Sequence, residues 1–246
     1  MEPIIAGVLS LVCLGGLVSF LLYYKHKAKG LQKRAEELMR EKSSLMAIRG
    51  GAVVARAIEQ RLREALSKLQ KRRIVGTERV AAAVLVPIFY KQGQYYILFI
   101  KRTERMRQHK GEISFPGGGR LKTDKTLLDT ALRECAEEIG LPPGEVEVLG
   151  QLDDTPTTTS GYVISPFVGL IPYPYEFKGD EWEVEEIIEV PISALLDKER
   201  LQQKTTLVKG KEVTSYAYQY QGRIVWGATA EILRQFLDIC ARLAKR

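Results

Sequence analysis

A run of glycines followed at short range by an acidic helix constrains this chain more than any other feature. The run reads Phe115-Pro116-Gly117-Gly118-Gly119-Arg120, and the helix is predicted over TLLDTALRECAEEIG, stopping at Gly140 with Pro142 and Pro143 beyond. Leu128, Ala131, Leu132, Cys135 and Ile139 occupy its core-facing side. Glu134, Glu137 and Glu138 stand at i, i+3 and i+4, so their carboxylates share the other face. Carboxylates crowded in this way repel one another and hold their protons more tightly unless a cation neutralises them. Their hard oxygens suit Mg2+ or Mn2+. Arg133 is placed to hold one of them, and glycines without Cβ atoms let backbone approach a metal or a phosphate closely. On its own the helix reads first as a solvated acidic face. The glycine loop upstream reverses that reading.

The surrounding residues predict an α+β domain with a mixed sheet. VAAAVLVPIFY and YYILFIKR read as two strands separated by a turn at residues 92–94. Further strands are expected at 145–152, 162–171 and 183–190, then a short helix after Pro191 and a hairpin region over 207–226. A final amphipathic helix is expected from Thr229 to Lys245. Strands and helices mix without regular βαβ alternation, which argues against an all-parallel sheet.

The first third of the chain differs in texture. Ile4 to Tyr24 contains no charged residue and matches the length of a membrane-spanning helix. Cys13 reads as part of that apolar core. Lys25, Lys27, Lys29, Lys33 and Arg34 follow it, so the positive-inside rule predicts a single-pass protein of the cell membrane. The expected organisation is a short outer terminus at 1–3, an anchor in the bilayer at 4–24, a basic helical stalk at 25–78 and a cytoplasmic catalytic domain at 79–246. The net charge of +7 divides unevenly: residues 1–78 carry +8 and residues 79–246 carry −1. A nucleic-acid partner is therefore not expected, because the cations adjoin the apolar segment rather than the domain. Lys71-Arg72-Arg73 lacks the interleaved aromatics that stack on bases.

These residues resemble the Nudix hydrolases. The box G-x5-E-x7-R-E-U-x-E-E-x-G-U, with U aliphatic, runs here from Gly119 through Arg133, Glu134, Cys135, Glu137, Glu138, Gly140 and Leu141. The departure is Lys125 at the upstream glutamate, with Asp124 beside it. Just before the box, LFIKRTERMRQHKGEISFPGG is similar to the coenzyme A pyrophosphatase subfamily at Arg102, Arg107, His109, Gly111, Phe115, Pro116, Gly117 and Gly118. The resemblance covers about residues 79–240.

It implies a Nudix fold, a mixed sheet sandwiched between helices. It implies metal-dependent hydrolysis of the pyrophosphate bond of CoA or a CoA derivative to 3′,5′-ADP and 4′-phosphopantetheine or its acyl form. Glu134, Glu138, Glu137 and the Gly118 carbonyl would hold Mg2+ or Mn2+. Glu137, Glu134, Glu138 and Arg133 form the implied catalytic group. Arg102, Arg107, His109, Gly117 and Gly118 would bind the small-molecule substrate. The general base stays open between Glu137 and the acids Glu183, Glu185 and Glu186, and a homodimer is allowed. The alternative is a Nudix pyrophosphatase acting on ADP-ribose or another nucleoside diphosphate derivative, in line with Pro156 downstream of the box. A second alternative is a noncatalytic, membrane-tethered nucleotide-binding module.

Overall fold

The longest apolar run of the domain becomes its organising strand. In the computed structural model, which describes residues 29–30, 33–34, 37–39, 51, 53–106, 109–158, 160–208 and 211–245, strand β1 spans Val80–Lys91. Its side chains are buried on both faces over most of its length, as a central strand requires. It pairs in parallel with β7 (Tyr162–Leu170), from Val80 opposite Tyr162 to Ile88 opposite Leu170. On its other edge it pairs antiparallel twice. Its final residues meet β2 (Gln94–Arg102) through the turn at Gln92-Gly93, and Ala82–Val84 meet β4 (Gly117–Gly119). The path β3-β2-β1-β7-β5 is extended by β8 (Val184–Pro191) on β2 and by β6 (Thr155–Pro156) on β7, with β3 at Ile113–Ser114 and β5 at Glu147–Gln151. The sheet has eight strands among the described residues and is mixed, because only β1 and β7 run parallel. The short helix expected after Pro191 is α3 (Ile192–Leu195), and a separate antiparallel sheet of β9 (Leu201–Val208), β10 (Lys211–Tyr220) and β11 (Arg223–Trp226) occupies the predicted hairpin region.

The period-2 alternation of β1 and β2 decides which helix covers which face. Leu85, Phe89, Leu98 and Ile100 point to one side and pack with Ala131, Cys135 and Ile139 of helix α2 (Leu127–Ile139). Val86, Ile88, Ile97 and Phe99 point to the other side. They meet Ile232, Leu233, Phe236 and Leu237 of the C-terminal helix, Gly227–Ala244. Each large side chain removed from water contributes roughly 1.5–3 kcal/mol before conformational entropy is counted.

A helix over residues 53–67, here α1, joins this second face. Leu62 and Leu66 are buried in the same core, and a Cβ at Gly150 would lie 2.6 Å from the Leu66 Cβ, so the helix seats directly on β5. Beyond it, Arg72 and Ile74 donate backbone N–H groups to Asp153 and Asp154, Asp154 returns its own N–H to the Arg72 carbonyl, and Arg73 donates to Gln151. The expected stalk over 25–78 is corrected for this stretch: residues 55–246 form one compact unit. Its helical spacing is amphipathic because it faces a sheet contributed by distant sequence, which the local pattern does not reveal. In the preceding unit, residues 29–30, 33–34 and 37–39 are helical and exposed.

The membrane expectation is also corrected. Among the described residues no helix is long and apolar enough to cross a membrane. The segment 4–24 on which the bilayer contact and the single-pass cell-membrane topology rested lies outside the described residues.

Candidate active site

The site is built where α2 faces the glycine strand. The helix starts on a capping box: the Thr126 hydroxyl accepts from the Asp129 N–H at 3.1 Å, and the Asp129 carboxylate accepts from the Thr126 N–H at 2.8 Å. With the start so fixed and the core side committed to Ala131, Cys135 and Ile139, residues 134 and 138 face β4.

Two glycines make the approach possible. Gly117 has φ 154°, and a Cβ there would lie 2.4 Å from the Ala83 carbonyl oxygen. A Cβ at Gly118 would lie 2.5 Å from Oε1 of Glu134. Real Cβ atoms do not tolerate either contact, so the glycines let strand, sheet and carboxylates share one small volume.

Glu138 lies at the centre, only 1% exposed. Its Oε2 accepts from the Gly117 N–H at 2.9 Å and its Oε1 from Arg102 at 3.0 Å. Burial nevertheless dominates and pushes its carboxyl up to about 7. The Gly117 N–H and Arg102 oppose the shift, while Glu134 and Glu183 add to it. Burial also raises Glu134, with Glu137 and Glu183 contributing repulsion. Burial pushes the Cys135 thiol well above its ordinary range, which makes it an inert core residue.

Two arginines hold the acids apart. Arg102, at the end of β2, reaches Glu138 and also Glu183 at 3.6 Å. Its Nε is buried without a hydrogen-bond partner among the described residues. Arg133 contacts Glu134 at 2.9 Å and Glu137 at 2.7 Å, donates to the Gly119 carbonyl at 3.2 Å and grips Asp124 with two nitrogens. That grip holds the Asp124 carboxyl down at about 2. An acid thus reaches Arg133 from the residue just before Lys125. The sequence shows Asp124 beside the departure, but not that its side chain turns under Arg133.

The sequence-derived residues therefore separate. Arg102, Gly117, Gly118, Arg133, Glu134 and Glu138 come together. Glu137 sits at the rim with its side chain 57% exposed. His109 lies in a turn, with its Nδ1 2.9 Å from Glu112, and Arg107 lies outside the described residues. Of the acids near β8, Glu183 faces Arg102, whereas Glu185 pairs with Lys101 and Glu186 with Arg223.

No group of three or more His, Cys, Asp or Glu side chains converges in metal-binding geometry among the described residues, because arginines occupy several carboxylate oxygens. The donor set still suits a divalent cation. Two partly or wholly buried carboxylates lie against bare glycine backbone and repel each other, an arrangement that a hard cation relieves.

The NUDIX domain model matches residues 79–209. The chain belongs to the Nudix family. A relative named "Uncharacterized Nudix hydrolase NudL" from Photorhabdus laumondii is 39% identical over 154 residues, covering 63% of this chain and 81% of that protein. One of the same name from Pectobacterium atrosepticum is 39% identical over 162 residues, covering 63% and 79%. Among solved structures, a MutT/nudix family protein from Enterococcus faecalis gives a TM-score of 0.47 at 14% identity, over 72% of this chain and 66% of that one, too distant a likeness to speak to chemistry. The activity class is that of a Nudix hydrolase acting on the pyrophosphate of nucleoside diphosphate derivatives, and family members generally use a divalent metal. The narrower assignment to the coenzyme A pyrophosphatases is corrected to the family level. The matched model is that of the NUDIX domain in general, and these relatives' names carry no substrate.

Proposed function

We propose that the chain hydrolyses the diphosphate of ADP-ribose or a similar nucleoside diphosphate derivative, with Mg2+ or Mn2+ held by Glu134, Glu138 and the Gly118 carbonyl. The observation that carries this reading is Arg102. Its Nε is buried without a partner, and its other nitrogens reach Glu138 and Glu183. The guanidinium keeps 16% of its side-chain surface open beside the two acids, where a phosphate oxygen can accept from it. The bound cation would neutralise the diphosphate and lower the pKa of a water.

The chain's own groups do the rest. The Gly117 N–H fixes Glu138, and Arg133 fixes Glu134. Arg102 orients the diphosphate between itself and the carboxylates. Glu183 takes the proton from the attacking water, since it faces Arg102 and is 43% exposed, whereas Glu137 is tied to Arg133. Water adds across the P–O–P bridge, its oxygen bonding to one phosphorus, and the bridging oxygen leaves with the other phosphate. ADP-ribose then yields AMP and ribose 5-phosphate.

The test is a product panel with the full chain and Mn2+ or Mg2+: ADP-ribose, coenzyme A, NADH and a nucleoside triphosphate. AMP from ADP-ribose is the expected result. A folded, metal-loaded protein that releases none, yet cleaves coenzyme A to 3′,5′-ADP, would move the substrate assignment without moving the site.

A further inference from the structure

Trp182 is 71% exposed, an unusual setting for the largest side chain, and it stands one residue before Glu183. Its backbone is held firmly. The Thr103 hydroxyl donates to the Trp182 carbonyl at 2.6 Å, the Thr103 N–H donates to the Glu183 carbonyl at 2.9 Å, and the Trp182 N–H donates to Asp180 at 2.7 Å. Thr103 immediately follows Arg102, so the segment presenting the indole is tied to the strand that presents the diphosphate-binding arginine. The Arg105 guanidinium lies over the ring at 5.3 Å from its centroid and makes no ion pair among the described residues. Beside this pair opens a pocket of about 380 Å3 lined by Thr103, Glu104, Arg105, Glu181, Val184 and Glu185. Lys101 engages Glu185 and the Glu104 carboxylate lies against Gly111, which leaves Glu181 as the acceptor in the pocket.

We infer that Trp182 and Arg105 form the platform on which the base of the substrate stacks, and that the base bears an exocyclic amino group. The inference rests on the diphosphate reading above, because it places the base at the free end of a ligand whose phosphates lie at Arg102. The open indole face supplies stacking area, and aromatic stacking accepts any base. The Glu181 carboxylate supplies the selection. It accepts from an exocyclic amino group and repels the carbonyl that uracil presents at the same edge. Arg105 stiffens the indole and adds a cation at its side.

The chain has two tryptophans, Trp182 and Trp226, so Trp226→Phe leaves Trp182 as the only indole. In that variant, without metal, ADP should quench the fluorescence saturably, UDP several-fold more weakly and ribose 5-phosphate not at all. With metal, Trp182→Ala in the full chain should raise the KM for ADP-ribose about tenfold while kcat stays within twofold, and Trp182→Phe should recover most of the loss. Unchanged fluorescence on ADP addition, in protein that still hydrolyses ADP-ribose, overturns the platform and leaves the diphosphate reading intact. Equal quenching by ADP and UDP overturns the amino selection. Quenching by ADP in protein that hydrolyses no diphosphate supports the platform and overturns the reading on which it was placed.

Discussion

Helices α2 and α4 (Gly227–Ala244) each carry an arginine paired with an acid at i+4, to different ends. In α2, Arg133 is followed by Glu134 and, at i+4, Glu137. In α4, Arg234 reaches Glu231 at 2.7 Å and, at i+4, Asp238 at 2.7 Å. Both helices are amphipathic, and both bury one side against the same sheet. The acids of α4 stay in a partly exposed ion-pair cluster, an arrangement that contributes little. Those of α2 are pressed against β4, and Glu138 is buried with its carboxyl pushed up to about 7. Counted from Glu231 as from Glu134, α4 has arginine and glutamine where α2 carries Glu137 and Glu138. The i+4 pair of arginine and acid is shared, so that pair does not make the site. The facing strand makes it, because only glycine backbone comes near enough to desolvate the acids.

The sharpest way to break this contrast is to neutralise one acid on each helix. Glu138→Gln keeps the shape and removes the charge. Its kcat/KM should fall by at least about a hundredfold, since even outer groups around a metal cost about 10–100-fold. Activity near that of the parent would remove Glu138 from the metal. Next in size, Gly118→Ala places a methyl where the Glu134 carboxylate lies and should reduce activity roughly ten- to a hundredfold by displacing it. Gly144→Ala, where a Cβ meets nothing within 4 Å, should leave activity unchanged in the same assay.

A smaller effect follows from pH. Glu138 holds its proton more tightly in the folded chain than in the unfolded one. Its contribution to the stability of metal-free protein is therefore fully present below the ordinary carboxylate range and is lost as pH rises through about 7. A divalent cation must displace that proton, so Mn2+ affinity should weaken by up to about tenfold per unit as pH falls below 7, measured by titration calorimetry. A pH-independent affinity between 6 and 8 would mean that the cation binds elsewhere. Smallest of all, Asp238→Asn on α4 should change neither activity beyond twofold nor unfolding free energy by more than about 0.5 kcal/mol, read from denaturant melts.

What could be read from the chain follows the range of the interactions. The α2 pattern, its glycine loop and the β1–β2 hairpin are local, and the structure has them close to where the residues place them. Leu62 and Leu66 signal an apolar face but not its partner, because β5 lies some eighty residues away and the contact depends on Gly150. Arg102 and Glu183 are named by motif and by acidity, yet their meeting depends on the pairing of β2 with β8 and the register shift between Lys101 and Arg102. Asp124 is visible in the sequence only as the neighbour of Lys125, because its contact with Arg133 depends on the course of the loop between β4 and α2. His109 matches a spacing, but a left-handed turn with φ 57° carries it to Glu112 instead.

The seating of α1 bears on how this enzyme is handled. Residue 79 is where the family resemblance begins, and it is a natural place to cut. A fragment starting there would lack Leu62 and Leu66, leave the lining of β5 and α4 facing water, and lose the hydrogen bonds that residues 72–74 make to Gln151, Asp153 and Asp154. It would also open the apolar cavity of about 260 Å3 that Ile58 and Leu62 help to close over Phe236 and Cys240. A bare patch of that kind favours self-association over folding, so the smallest soluble piece of this chain should start ahead of Ala55.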